Sequence, residues 1–159
     1  MTFDQAEFQL RCEWGERGLY SLLPTSDVIV VIDVLSFTTC VDIAISRGAK
    51  VWPYRWNDHS ANSFAGERNA ILAGSRSSSG VSLSPASMLQ LESGDAIVLP
   101  SLNGATLSVL AGGSPLLAAC LRNAESVARA ACKIGPRVSV IPSGERWPDG
   151  TLRPCLAGC

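Results

Sequence analysis

The sequence predicts a single α/β domain over residues 1–159, with a mostly parallel sheet flanked by helices on both faces. First, residues 28–32 form an unbroken β-branched run, which is typical of a strand buried on both faces. Second, apolar strand-like segments recur at 95–100, 115–121 and 137–142, and small polar or charged residues follow each of them. Third, helical patterns alternate with these strands, which indicates parallel strands joined by helices.

The first half of the chain contains the segment that we predict to be the central strand. Residues 6–12 alternate apolar and polar side chains, which predicts a half-exposed strand, and 13–26 form a polar connection. The central strand covers 28–33. Residues 37–47 show helical spacing, and Gly48 stands where a helix ends.

The middle and second half continue the alternation. Residues 50–56 predict a strand, in which Pro53 indicates an edge position, and 57–73 predict a helix. The serine-rich stretch 74–85 has no periodicity, and Ser84 precedes a proline in the manner of a helix cap. The remaining predicted elements are a strand at 95–100, a helix at 103–110, a strand at 115–121, a helix at 123–134 and a strand at 137–142.

Composition excludes several classes of protein. The 13 basic and 14 acidic side chains nearly balance, so the composition does not indicate a basic surface of the kind that binds nucleic acids. No apolar run is long enough to cross a membrane, and the polar N-terminus does not resemble a signal peptide. We therefore expect a cytoplasmic protein with no membrane and no nucleic-acid partner.

Cysteine and histidine usage restricts the metals that the chain could hold. Cys40, Cys120 and Cys132 lie in apolar patterns, which predicts that they pack in the core as small hydrophobic residues. His59 is the only histidine, so a two-histidine metal motif is excluded. Any metal would be held mainly by oxygen atoms, which favours magnesium over zinc.

Polar side chains follow several of the predicted parallel strands. Asp33 follows the central strand, Asn103 the strand at 95–100, Arg122 and Asn123 the next strand, and Glu145 the last. Ligands of open α/β sheets bind outside the carboxyl ends of the strands. The pattern therefore predicts that these five residues lie on one edge and form a site.

Structural roles for the same residues remain open alternatives. Asp33 and Asn103 could cap turns, and Asn123 could cap the helix that follows it. Glu145 could be a solvated surface residue. The stretch 74–85 could be either a solvated linker or a loop that contributes donors such as Arg76 to an anion.

Several segments together resemble one known family. The run VVIDVLSFTT at 30–39 resembles the VVIDVLRAxTT motif of the 2-phosphosulfolactate phosphatases of the ComB type, and SLNGAT at 101–106 is similar to that family's TTNGT. Weaker similarities follow in the same order at 72–76, 83–85, 121–124 and 143–145. The resemblance covers about residues 5–156.

The resemblance implies a magnesium-dependent phosphomonoesterase, a hydrolase acting on 2-phosphosulfolactate or a similar small phosphorylated 2-hydroxy acid. In the family this reaction belongs to coenzyme M biosynthesis. We expect Asp33 and Glu145 to hold Mg²⁺ and, with Asn103, to form the catalytic group. Residues expected to bind the anionic substrate are Ser36, Thr38, Thr39, Arg76, Ser84, Gly104, Arg122 and Asn123.

Departures from the family pattern leave two further hypotheses open. Ser36 stands where the family usually has arginine, and Ser75 where it has glutamate. The family pattern also continues beyond residue 159, so the resemblance implies a C-terminally shortened relative. The alternatives are a catalytically impaired anion-binding relative and an incomplete domain that is completed in a homodimer.

Overall fold

The structure is a computed structural model that describes residues 5–75 and 80–154. Strands and helices alternate along most of this part of the chain, as the sequence predicts. The strands are β1 (Leu10–Cys12), β2 (Val28–Ile32), β3 (Lys50–Tyr54), β4 (Ile71–Leu72), β5 (Ala96–Pro100), β6 (Leu116–Ala119), β7 (Val138–Pro142), β8 (Glu145–Arg146) and β9 (Leu152–Arg153). The α-helices are α1 (Gly15–Leu22), α2 (Phe37–Ser46), α3 (His59–Glu67), α4 (Gly104–Leu110) and α5 (Ala124–Ile134), and short 3₁₀ helices cover Leu23–Thr25 and Pro85–Gln90.

The parallel strands form two sheets rather than one. The larger sheet has the order β1-β7-β2-β6, and the smaller has the order β3-β5-β4. Every pairing within these two sheets is parallel, and β8 and β9 form a separate antiparallel pair. The predicted α/β class with mostly parallel strands is therefore confirmed, but the sequence did not indicate the division into two sheets.

Helices cover both faces of β2, the central strand of the larger sheet. Side chains alternate between the faces of a strand, and Ile29 and Val31 accordingly pack with Leu19 of α1 and Leu107 of α4. Val28 and Val30 point the other way and pack in a second cluster, which includes Ala131 of α5. Burial of each such aliphatic side chain stabilises the fold by about 1.5–3 kcal/mol, which explains why this run is apolar at every position.

The helix α4 connects the two sheets. It follows β5 of the smaller sheet, and its Ala105 lies in the core that Phe37 of α2 and Leu99 of β5 share. Two residues later, Leu107 lies in the core beneath β2 of the larger sheet. The start of α4 is thereby held close to the carboxyl end of β2, where Asp33 lies.

Several boundaries predicted from the sequence are wrong. The connection predicted at 13–26 contains the helix α1. Its glycines, Gly15 and Gly18, do not break the helix but allow close packing, since a Cβ at Gly18 would lie 2.6 Å from the Cβ of Glu13. The helix predicted at 57–73 ends at Glu67, two residues before Asn69 enters the left-handed region with φ 49°. The segment after it forms β4, which pairs with β5.

Other local predictions are confirmed in part. Pro53 lies in β3, at an edge of the smaller sheet, as predicted. Ser84 precedes the 3₁₀ helix at Pro85–Gln90, but its side chain makes no capping hydrogen bond. Cys40 and Cys120 are buried as predicted, whereas Cys132 is exposed on α5, so the core prediction is wrong for that residue.

Candidate active site at the junction of the two sheets

Asp33 is a buried carboxylate at the carboxyl end of the central strand. Asp33 is only 5% exposed to solvent. Oδ2 accepts a hydrogen bond of 2.8 Å from the backbone N–H of Gly104 and a long one of 3.5 Å from Ser101 Oγ. The backbone N–H of Phe37 also donates to this carboxylate. Asp33 is thereby bound to the first residues of both α2 and α4.

The environment of Asp33 shifts the pKa of its carboxyl group. Burial is the main cause that raises the pKa of the Asp33 carboxyl above its ordinary value, and the negative charge of Glu145 raises it further. The hydrogen bonds from Gly104, Phe37 and Ser101 oppose this rise because they stabilise the carboxylate. A buried carboxyl with a raised pKa beside a second acid is characteristic of functional sites.

Gly104 allows the close approach between α4 and Asp33. A Cβ at this position would lie 2.5 Å from Phe37 Cδ1, 2.7 Å from Asp33 Oδ2 and 2.9 Å from Asp33 Cβ. Real Cβ atoms do not come so close to other heavy atoms, so no larger residue fits without displacing its neighbours. The N–H of Gly104, expected to bind substrate, is used here by Asp33.

Asn103 and Glu145 meet beside Asp33. Asn103 Nδ2 donates a hydrogen bond of 3.1 Å to Glu145 Oε1, and the backbone N–H of Arg146 donates to the same oxygen at 3.1 Å. Glu145 is exposed, and its charge reaches Asp33 strongly enough to affect the pKa of that residue. The structure therefore brings together all three residues that the sequence predicts to be catalytic.

The hydroxyl groups after Asp33 are bonded to the backbone of the turn that carries it. Thr38 Oγ1 accepts a hydrogen bond of 3.1 Å from the N–H of Asp33, and Thr39 Oγ1 donates one of 2.8 Å to the carbonyl of Val34. Ser36 Oγ donates at 3.0 Å to the carbonyl of Leu83, the residue before Ser84. Ser36, Thr38 and Thr39 thus shape the site, whereas their predicted contacts with substrate stay a prediction.

The remaining predicted substrate-binding residues lie in other arrangements. Arg122 forms an ion pair of 2.9 Å with Asp42 of α2. The side chain of Asn123 bonds to the backbone of its own turn, accepting from Cys120 N at 2.8 Å and donating to the carbonyl of Ala118 at 3.0 Å. Arg76 falls outside the described residues. The capping alternative for Asn123 is wrong, because its side chain makes no capping hydrogen bond to α5. The ion pair of Arg122 and these hydrogen bonds of Asn123 do not involve Asp33.

Ser101 was not predicted to be a site residue, although its hydroxyl faces Asp33. It stands directly after β5, and Ser101 Oγ also accepts a hydrogen bond of 3.2 Å from the N–H of Asn103. The rule that identified Asp33, a polar residue directly after a parallel strand, could have identified Ser101 as well.

The pair of carboxylates at the site suits a magnesium ion. Mg²⁺ in proteins is commonly held by one or two carboxylates, with water and substrate phosphate completing its oxygen ligands. Asp33 and Glu145 supply two carboxylates, and their mutual repulsion is what a divalent cation would relieve. Within 5–75 and 80–154, no group of three or more His, Cys, Asp or Glu residues is placed to hold a metal.

The comparison with protein families agrees with this arrangement. The family model of 2-phosphosulpholactate phosphatase matches residues 20–150, a range that contains Asp33, Asn103 and Glu145. The chain belongs to this family. Its membership supports a phosphatase function. No individual curated protein matches the chain.

One further prediction concerns membranes. None of the helices in the described part of the chain has the length and apolar character that a membrane crossing requires.

Proposed function

We propose that the chain is a magnesium-dependent phosphomonoesterase that hydrolyses 2-phosphosulfolactate or a similar small phosphorylated 2-hydroxy acid. The observation that carries the proposal is the buried Asp33 carboxylate, bonded to Gly104 N at 2.8 Å and lying beside the Glu145–Asn103 pair. It supports phosphoryl chemistry because a phosphomonoester dianion needs charge neutralisation and a positioned nucleophile. Membership in a phosphatase family points to the same reaction.

Asp33 and Glu145 would hold Mg²⁺, which when bound supplies charge to polarise the phosphoryl group and to lower the pKa of a water molecule. The protein contributes a fixed carboxylate, since Asp33 is held by N–H groups from two helices. Burial also excludes water around Asp33, which strengthens electrostatic interactions at that position.

In its alternative role, Glu145 would accept the proton of the attacking water instead of holding Mg²⁺. It is exposed to the solvent that supplies this water, and Asn103 Nδ2 together with the N–H of Arg146 fixes the orientation of its carboxylate. Asn103 then acts mainly by positioning Glu145.

The experiment that tests the proposal measures phosphate release from a panel of phosphomonoesters, 2-phosphosulfolactate included, with Mg²⁺ and with a chelator. We expect release that depends on Mg²⁺ and that falls by at least about 10²-fold in Asp33→Asn and in Glu145→Gln. Glu125→Gln is the matched control, because Glu125 pairs only with Arg129 on the surface of α5 in the described structure and should leave release unchanged.

Two results would contradict the proposal. If phosphate release is equal with Mg²⁺ and with the chelator, the reaction does not require the metal. A folded protein that binds phosphate esters but releases no phosphate would instead support the catalytically impaired, anion-binding alternative. The buried serine at position 36, where the family usually has arginine, favours that second candidate.

A further inference from the structure

The hairpin formed by β8 and β9 carries Glu145 but belongs to neither of the parallel sheets. Its two strands form a sheet of their own, with Glu145 opposite Arg153 and Arg146 opposite Leu152. A two-stranded hairpin is marginally stable by itself and needs packing against the rest of the protein. The position of the Glu145 carboxylate beside Asp33 therefore depends on the contacts that hold this hairpin.

The two faces of the hairpin have different neighbours. Consecutive residues of a strand point to opposite faces, whereas residues directly opposite each other on paired strands share a face. Arg146 and Leu152 therefore lie on one face, and Glu145 lies on the other. Glu145 contacts Asn103 at the candidate site, whereas Arg146 forms an ion pair with Glu16 in the first turn of α1. The face opposite to Glu145 thus joins the hairpin to α1.

On the face that meets α1, the side chain of Leu152 packs between two glycines. Gly15 is the first residue of α1, and Gly144 directly precedes Glu145. A Cβ at Gly15 would lie 2.9 Å from Leu152 Cδ2, and a Cβ at Gly144 would lie 2.8 Å from Leu152 Cδ1. Real Cβ atoms do not come so close to other heavy atoms. The branched end of Leu152 therefore occupies space that exists only because both neighbours are glycine.

The backbone of the two glycines requires glycine for a second reason. Gly15 has φ 63° and Gly144 has φ 65°, in the left-handed region that residues with a side chain rarely adopt. Both glycines are buried, and Leu152 is half-buried against them. Gly15 and Leu152 lie outside residues 20–150, which the family model matches, so membership in the family does not imply their contact.

We propose that Leu152 is a positioning residue: its packing against Gly15 and Gly144 fixes the hairpin on α1 and so holds the Glu145 carboxylate beside Asp33. This inference rests on the proposed phosphatase function and adds a residue to it, whether Glu145 holds Mg²⁺ or accepts the proton of water. Because Gly144 is bonded directly to Glu145, a change in the packing of Leu152 reaches the backbone of Glu145 across one peptide bond.

The kinetic test introduces Leu152→Ala into the wild type and into Glu145→Gln, and measures kcat with the panel ester that the wild type hydrolyses fastest. In the wild type we expect kcat to fall about 10- to 100-fold, the effect of a misplaced reacting group. In Glu145→Gln the further fall should be less than about twofold, because a residue that acts through Glu145 has nothing left to position there. Leu152→Met conserves the side-chain volume and should restore most of kcat. An equal fall in both backgrounds, or no fall in either, would overturn the proposal.

Leu117→Ala is the matched control for the loss of a packed leucine. Leu117 is also a half-buried leucine of a strand, but it packs with Val28 and Val30 on the face of the larger sheet that is turned away from α1. Its truncation should destabilise the fold without changing kcat. If Leu117→Ala lowers kcat as much as Leu152→Ala does, the effect is general destabilisation and the positioning role is refuted.

Limited digestion with trypsin tests the anchoring of the hairpin independently of turnover. Arg146 lies in β8, and trypsin can cut the bond between Arg146 and Trp147 only when the hairpin opens locally. We expect this bond to be cut about tenfold faster in Leu152→Ala than in the wild type and in Leu117→Ala, because the rate follows the population of the open form. The mass of the released peptide identifies the cut.

The two measurements separate this proposal from the proposed function. If trypsin cuts Leu152→Ala faster while the wild type hydrolyses no phosphomonoester, the phosphatase function fails and the anchoring of the hairpin by Leu152 stands. If phosphate is released but trypsin cuts Leu152→Ala no faster than the wild type, Leu152 does not hold the hairpin, so the positioning role fails and the function stands.

Discussion

Replacing Gly104 with alanine tests whether the candidate site is assembled by close packing. The new Cβ would meet Phe37 Cδ1 at 2.5 Å and Asp33 Oδ2 at 2.7 Å. Neither neighbour moves freely, because Phe37 is 2% exposed within the core and Asp33 is 5% exposed. The substitution should therefore push the start of α4 away from Asp33 and lengthen the 2.8 Å hydrogen bond between them.

The size of the effect follows from two opposing contributions. Overpacking a core position costs about 1–3 kcal/mol, whereas exchanging glycine for alanine in a helix gains about 0.5–1 kcal/mol. Gly66 in α3 is the matched control, because a Cβ there would meet no heavy atom within 4 Å. Since both changes replace a helical glycine, the gain in helix propensity cancels, and the difference in unfolding free energy between the two variants should be about 1–3 kcal/mol.

Urea unfolding of the two variants measures this difference, and phosphate release measures the functional consequence. We expect Gly66→Ala to be as stable as the wild type or more stable, with unchanged turnover. We expect Gly104→Ala to be the less stable of the two and to lose about tenfold or more in kcat/KM, because Asp33 is displaced. If the two variants have the same unfolding free energy and the same turnover, the close contact between Gly104 and Asp33 does not organise the site.

Three further predictions concern side chains around the fold. Thr38→Val removes the acceptor for the buried N–H of Asp33 and should lower the unfolding free energy in urea by about 1–3 kcal/mol. Asn123→Ala removes two hydrogen bonds in the turn before α5 and should cost about 1–3 kcal/mol without raising KM for a phosphomonoester; a higher KM would make it a substrate ligand. Hydrogen bonds from Arg137 lower the pKa of Asp27 below its ordinary value of 3.8, so Asp27 stabilises the fold above that value and the contribution is lost as pH falls through the lower, folded-state pKa. Thermal melts of Asp27→Asn should therefore show a lower Tm at neutral pH and a weaker decline of Tm in acid than the wild type.

The sequence predicted the location of the site better than it predicted the side-chain contacts around the site. Asp33, Asn103 and Glu145 each follow a parallel strand, and that rule places them at one end of the molecule without any knowledge of strand order. Its limit is shown by Arg122, which also follows a parallel strand but pairs with Asp42, 80 residues away in the chain. An ion pair between distant surface residues leaves no periodic signal in a sequence.

The helix α1 was also not predicted, because tertiary packing stabilises it and such packing leaves no local signal in the sequence. Glycines at 15 and 18 have low intrinsic helix propensity, so a local interpretation places a turn there. In the fold, Leu19 and Leu22 of that segment are fully buried in the core under β2, and this burial outweighs the local preference. Asn69, by contrast, ends α3 through its own backbone conformation, which sequence gives only as a tendency.

The close approach of α4 accounts for the hydrogen bonding of the buried acid at this site. Here α4 runs from the end of β5 to the core beneath β2, and its first N–H meets Asp33 from the side. The helix both covers the carboxylate, which raises its pKa, and donates the hydrogen bond that limits the rise. Because one packing contact produces both effects, the electrostatics of Asp33 depend on how closely α4 approaches, and Gly104 sets that distance.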